Sequence, residues 1–257
     1  MSTQKGNEQA NMSLVGHLRE IRNRIALSVV ALLAAFVICF AIIKPLANAM
    51  LQMGLDAGFQ YVYLSPSELL TSYFKLALVL AVVVVSPLLI FQIWGFVAPA
   101  LTDREKRSAR GVVFYVSSLF FLGLSFGYFV ILPMSINFFT DYRLGTEDAI
   151  VNNIELSSYI SNVVNITLAT GIMFQLPMAV YVLSRMGLIT SHFLLKYYRH
   201  ALVLILIVAA VLTPPDVASQ IVLAVPIVLL YQASITICRR MEKHRMRARE
   251  AEEGVNE

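Results

Sequence analysis

The chain has 257 residues, 58% of them hydrophobic and 14% charged, with a mean hydropathy of +0.72 and a formal charge of +4. A soluble domain is nearer about 45–50% apolar and about 25% charged. The composition therefore excludes an ordinary soluble domain and implies an integral membrane protein, with the lipid bilayer as a partner and no nucleic acid.

Residues 1–24 form a polar and cationic lead-in. Within it, "SLVGHLREIRNRI" (13–25) gathers Leu14, Leu18, Ile21 and Ile25 on one helical face, which predicts an amphipathic helix feeding the first span. The first apolar run, 25–43, follows Arg19, Arg22 and Arg24 and precedes "ANA" at 47–49, which resembles a cleavage site. It exceeds the roughly 7–15 apolar residues of a signal peptide, so it reads as an uncleaved span. Pro45 opens the next outer segment, and "SPSE" (65–68) is a helix start, with Ser65 as N-cap, Pro66 at the first helical position and Glu68 two residues further on. Further apolar runs occupy roughly 75–97, which contains Pro87, then 111–134, 158–184, 201–212 and 217–238. All but the fifth are long enough to span as helices. The fifth has 12 strictly apolar residues. That is about 18 Å of helix at roughly 1.5 Å per residue. Tyr197, Tyr198, Arg199 and His200 lengthen it as an interfacial foot. Between the fifth and sixth runs, "VLTPPDVASQIVL" (211–223) reads as a tight hairpin: Pro214 and Pro215 stop one helix and Asp216 caps the next. A charged tail, 239–257, follows and is expected to fray.

Lysine and arginine orient the bundle. Lys44, Lys75 and Arg143 fall on one side, and the other 17 of the 20 cations on the opposite side, if the chain crosses six times with both termini in the cytoplasm. The expected architecture is therefore all-α: a six-helix transmembrane domain (25–238) with short fifth and sixth helices joined by a tight outer turn. Cys39 and Cys238 then lie at opposite faces, which argues against a disulfide.

The sequence carries no His-Glu-x-x-His, Gly-x-Ser-x-Gly or Walker-type motif, and no cysteine pair at metal spacing. No catalytic residue, metal or cofactor is expected. Polar groups at particular depths remain. Gln175 lies well inside the fourth run, and Asn162, Asn165 and Thr167 nearer its outer end. Such groups either bind the protein's own helices or meet a partner helix. Glu20 and Glu105 are acids among bases on the cytoplasmic side. Each has a local explanation, an ion pair to Arg24 for Glu20 and a capping box "TDRE" for Glu105. Together they could instead hold guanidinium groups.

Several stretches resemble the TatC family of the twin-arginine protein translocase: "HLREIRNRI" (17–25), "SPSELLTSYFK" (65–75), "SPLLIFQIWGFVAPALTDREKR" (86–107), "FGYFVILP" (126–133), "FQLPMAV" (174–180) and "LTPPDVASQ" (212–220). The resemblance implies a receptor in a bacterial cytoplasmic membrane that binds twin-arginine signal peptides. It implies single-span TatA- and TatB-type partners, self-association, and transport of folded proteins driven by the proton-motive force. Glu20 and Glu105 match the family's arginine-binding acids, with Arg19 and Arg22 beside them, and Phe96 matches an aromatic of the same site. Thr213, Asp216 and Gln220 match a region used for partner-helix contact, which Gln175 joins. Pro45 and Pro66 match family prolines. At Gln175 the family commonly has Glu; an amide can hydrogen-bond there but cannot titrate. A small-solute carrier is the competing class, but it would show paired helix breaks. Pro87, Pro177 and Pro226 do not pair the two halves.

Overall fold

The structure is a computed structural model and describes residues 2–97, 109–141, 153–185, 187–213 and 217–253. Helix α1, Ser2–Ala41, runs without a break from the amphipathic lead-in through the first span. A short α2, Ile43–Asp56, turns back beside it, with Pro45 in its first turn, where a missing N–H costs nothing. Strand β1, Gln60–Val62, leads into α3, Pro66–Val97, which starts at the predicted proline. Helix α4, Ala109–Phe126, passes through a π-helical turn, Gly127–Ile131, into α5, Leu132–Asp141. The wider turn immediately precedes Pro133, whose nitrogen cannot donate to the preceding turn.

Strand β2, Asn153–Glu155, pairs in parallel with β1, Tyr61 lying opposite Ile154. Helix α6, Leu156–Met173, stops two residues short of α7, Leu176–Arg185. A short α8, Ser191–Lys196, precedes α9, Tyr198–Leu212, and the last helix, α10, is Val217–Glu253.

Five helical stretches are long and apolar enough to cross a membrane, and α9 is a shorter apolar helix. This is the expected six-span pattern. The fifth span is short at 15 residues. The sixth is not: its apolar part continues into the basic tail as one 37-residue helix. The tail departs from the expected fraying because Arg, Glu, Lys, Met and Ala all favour helix. Glu242 also ties it to α8, accepting from the Ser191 N–H at 2.7 Å and from the Ser191 hydroxyl. Cys39 and Cys238 are both buried, and neither is in a disulfide.

Around the two strands, α2 and the adjoining turns of α3, α5 and α6 bury Ile43, Ala47, Phe59, Ala77, Ile136 and Ile160, part of one core cluster that extends to α9 and α10. Tyr159 donates to the Met50 carbonyl at 2.8 Å, and Tyr61 donates to the Leu51 carbonyl at 3.1 Å. Burial, with Tyr159 beside it, pushes the Tyr61 phenol above its ordinary value, so it stays a donor at physiological pH. The Ile21–Ala41 part of α1, by contrast, is mostly exposed, with Leu33, Val37 and Ile38 turned outward as a lipid-facing helix requires.

Pro87 sits inside α3 and leaves the Val83 carbonyl without its helical donor. The Ser86 hydroxyl supplies one, donating to that oxygen at 2.7 Å. Ser86→Ala is expected to lower stability by about 1 kcal/mol. In a Pro87→Ala background, where residue 87 regains an N–H, the same change is expected to be near neutral. Thermal unfolding of the four proteins in detergent checks the cycle.

Candidate functional site

The predicted site residues fall in three places. At the end of the bundle that carries the chain termini, α1 packs along α3. The Arg24 guanidinium donates to the Gln92 carbonyl at 3.2 Å and lies so close to Gly95 that a β-carbon there would meet Nη1 at 1.8 Å. This contact registers the two helices. It brings the backbone of Glu20, one turn before Arg24, to the same end as the backbone of Phe96, one residue after Gly95. Arg19 and Arg22 are exposed on α1. The side chains of Glu20 and Phe96 and the whole of Glu105 lie outside the described residues.

The second place is the break between α6 and α7. Pro177 cannot donate backward, and Gln175 becomes the pivot: its carbonyl accepts from Met178 N and Ala179 N, each at 3.0 Å. Its side-chain amide reaches across to α4 and donates to the Val116 carbonyl at 3.1 Å. Gln175 also lines a half-open cavity of about 540 Å³ between α3, α4, α6 and α7. Trp94, stacked on Tyr181 with ring centroids 6.1 Å apart, forms part of the same wall.

The third place is the α9–α10 hairpin. Thr213 is buried, and its hydroxyl donates to the Ala209 carbonyl of its own helix at 2.9 Å. Gln220 ties the hairpin together by donating to the Leu206 carbonyl at 3.0 Å. Pro214, Pro215 and Asp216 lie outside the described residues. The exposed groups flanking the turn are Val211 and Val217. The structure thus keeps these three places apart, at the basic end, in the interior and at the far turn.

Two further contacts have no counterpart in the sequence reading. The Glu68 carboxylate accepts from Leu64 N at 2.7 Å and from Ser157 N at 3.0 Å, joining the starts of α3 and α6. Gly123 and Gly127 let α4 and the π turn lie directly against α6. The Gly-x-x-x-Gly spacing is the signal that could have found the second contact.

A family model described as "Sec-independent protein translocase protein (TatC)" matches residues 16–226. The chain belongs to the TatC family. A TatC protein of Helicobacter pylori strain 26695 is 37% identical over 223 residues, 87% of this chain and 86% of the relative. TatCd of Bacillus subtilis is 30% identical over 234 residues, 91% of this chain and 94% of the relative. A crystal structure described as the twin-arginine translocase receptor TatC superposes with a TM-score of 0.73 at 32% identity, covering 87% of this chain and 98% of that one. This TatC-family chain is thus a multi-pass membrane component of the twin-arginine translocation system, and the six-span fold is the one its relatives share.

Proposed function

We propose that the chain is the receptor core of the twin-arginine translocase. It sits in a bacterial cytoplasmic membrane with both termini in the cytoplasm. At that face Glu20 and Glu105 grip the paired arginines of a signal peptide, Phe96 packs against it, and Arg19 and Arg22 flank the site. The observation that supports this most directly is the packing of Arg24 on Gln92 and Gly95, which brings the Glu20 and Phe96 positions to one end of two registered helices. The distribution of cations supports the orientation. TatA- and TatB-type helices dock at the interior Gln175 groove and at the α9–α10 hairpin. There Thr213 and Gln220 hold the turn, and the exposed Val211 and Val217 offer apolar contact, with Asp216 as a further contact residue. Because Gln175 is an amide, its contribution is hydrogen bonding and not charge.

The deciding experiment is binding of labelled signal peptides to the purified protein in nanodiscs, comparing Arg-Arg with Lys-Lys peptides. A charged hydrogen bond contributes roughly 1.5–3 kcal/mol. Glu105→Gln is therefore expected to weaken Arg-Arg binding by about tenfold or more and to erase the preference over Lys-Lys. Equal binding of both peptides to both proteins would overturn the assignment and leave Glu105 a helix cap.

A further inference from the structure

Helix α8 is fastened to α10. Glu242 accepts from the Ser191 N–H at 2.7 Å and from its hydroxyl, Tyr231 donates to the Leu194 carbonyl at 2.9 Å, and the Leu194 side chain is buried. A helix of six residues has little stability of its own, so these contacts hold it as a ledge and fix which side faces outward. That side is apolar and cationic together. Leu188 is 67% exposed and Phe193 48%, with Leu195 and Tyr197 exposed beside them. His192, Lys196, Arg199 and His200 are exposed on the same stretch, and the Lys196 ammonium lies 5.9 Å from the Tyr197 ring centroid.

Helix α10 extends the ledge. Gln232, Thr236, Arg239 and Lys243 are exposed at spacings of three and four residues, so they share one helical face. Gln232 donates to the Tyr198 hydroxyl at 3.2 Å, which sets that face along the foot of α9. Among the described residues, no acid lies within ion-pair distance of Lys196, Arg199, Arg239 or Lys243. Between Arg185 and Lys243 the sequence holds only two acids: Asp216, in the turn beyond the other end of α9, and Glu242, which Ser191 engages. The counter-charge must therefore come from outside this part of the chain.

Depth identifies it. The apolar run of α9 begins at Ala201 and that of α10 ends at Cys238, so Arg199 and Arg239 stand within two residues of the hydrocarbon boundary. At that level the abundant anion is lipid phosphate. Exposed leucine and phenylalanine interleaved with cations are the pattern of a surface seated at the headgroup–acyl boundary, whereas a basic peptide would be repelled. We propose that the α8 ledge and the Arg239–Lys243 face of α10 together bind the headgroups of anionic phospholipids, with Leu188, Phe193 and Leu195 seated among the first acyl carbons. The inference does not depend on the signal-peptide reading.

The test places a fluorophore on the ledge, with Phe193→Trp in a Trp94→Phe background of the full chain. The protein is reconstituted in phosphatidylcholine nanodiscs with a minor fraction of either phosphatidylglycerol or phosphatidylcholine brominated near the headgroup. At equal content, brominated phosphatidylglycerol is expected to quench the introduced indole about twofold more than brominated phosphatidylcholine, because the cations enrich anionic lipid around them. Lys196→Gln, Arg199→Gln, Arg239→Gln and Lys243→Gln together are expected to make the two lipids equal. If circular dichroism shows that the reporter variant has lost helix, hydrogen exchange in the wild-type chain gives the same reading. Exchange in α8 is expected to be slower with phosphatidylglycerol than with phosphatidylcholine, and the difference to vanish in the four-charge variant. The proposal is overturned if both lipids act equally on the folded protein, whether a second copy covers the ledge or the ledge stands clear of the bilayer. It is equally overturned if the four-charge variant keeps the preference, or if inorganic phosphate abolishes the preference where chloride at equal ionic strength does not, which would make this a site for free anions.

Discussion

Gly127→Leu is expected to force the third and fourth spans apart and to produce the largest loss of stability of any single change described for the bundle interior. A β-carbon at Gly127 would meet the Thr170 hydroxyl oxygen at 2.1 Å and the Thr167 α-carbon at 3.1 Å. The first of these is a side chain that could turn away. The second is backbone, so the helices themselves must shift. Thr170 is fully buried, and its hydroxyl is spent on the Ile166 carbonyl at 2.8 Å, so turning it away also sacrifices a hydrogen bond. Overpacking a close-packed interior costs about 1–3 kcal/mol even for small additions, and leucine adds four carbons where one does not fit. The contact is testable as a pair. Gly127→Ala is expected to cost about 1–3 kcal/mol alone and measurably less in a Thr170→Ala background, where the Thr170 hydroxyl oxygen that crowds the site is gone. Unfolding in detergent, followed by circular dichroism, gives both numbers. Equal costs in the two backgrounds would mean that the clash is absorbed by backbone movement alone.

The spans themselves were legible from local pattern. Runs of apolar residues, the clustering of cations and the Ser65–Pro66 start are properties of neighbouring positions, and α3 begins at Pro66 accordingly. Two local rules erred where a longer-range or competing preference prevailed. The charged tail beyond 238 has the composition of a disordered segment, yet α10 continues to Glu253. Helix propensity favours that continuation, and Glu242 finds Ser191 on another helix. The same continuation makes the sixth span long where a short helix was expected. The third span likewise runs on to Asp141, past the end of its apolar run near 134, because Pro133 is absorbed by the π turn and so does not end the helix.

The candidate site divides along the same line. Gln175 stands out in sequence as a polar residue in an apolar run before a proline, and the structure gives it two roles, pivot of a helix break and donor to α4. Its choice of Val116 as acceptor is a pairing across 59 positions and has no local signature. The cavity beside it is invisible for the same reason, since it is a space left between four helices. Thr213 reads as a polar group at a turn, ready for a partner. In the structure its hydroxyl is turned onto Ala209, and apolar neighbours hold the exposed positions. A hydroxyl with a carbonyl in reach one turn back satisfies itself locally before it serves a partner.

Glu68→Ala is expected to loosen the far end of the bundle more than loss of any single hydroxyl there. Read locally, Glu68 is the acid of a capping motif that serves only its own helix. In the structure each carboxylate oxygen has its own backbone donor: one accepts from Leu64 N, before α3, and the other from Ser157 N, in the first turn of α6. Two helix starts therefore share one anion, with Glu68 and Ser157 89 positions apart, and the positive ends of both helix dipoles face it. The parallel β1–β2 pair lies just ahead of both helices, so this carboxylate and the ladder hold the same pair of chain segments. Alanine leaves both N–H groups without an acceptor. Glutamine retains one acceptor oxygen but presents an NH₂ group to the second donor, so Glu68→Gln is expected to recover only part of the loss. The comparison that isolates the role is with Tyr159→Phe, which removes a single hydrogen bond to Met50 at the same end. Unfolding midpoints in detergent should fall in the order Tyr159→Phe, Glu68→Gln, Glu68→Ala, with the last lowered by more than about 4 °C. Hydrogen exchange at Leu64 and Ser157 should accelerate together in Glu68→Ala, since one side chain protects both amides. Acceleration at Leu64 alone would show that the carboxylate serves only its own helix and that the far end is held by the strands and the tyrosines.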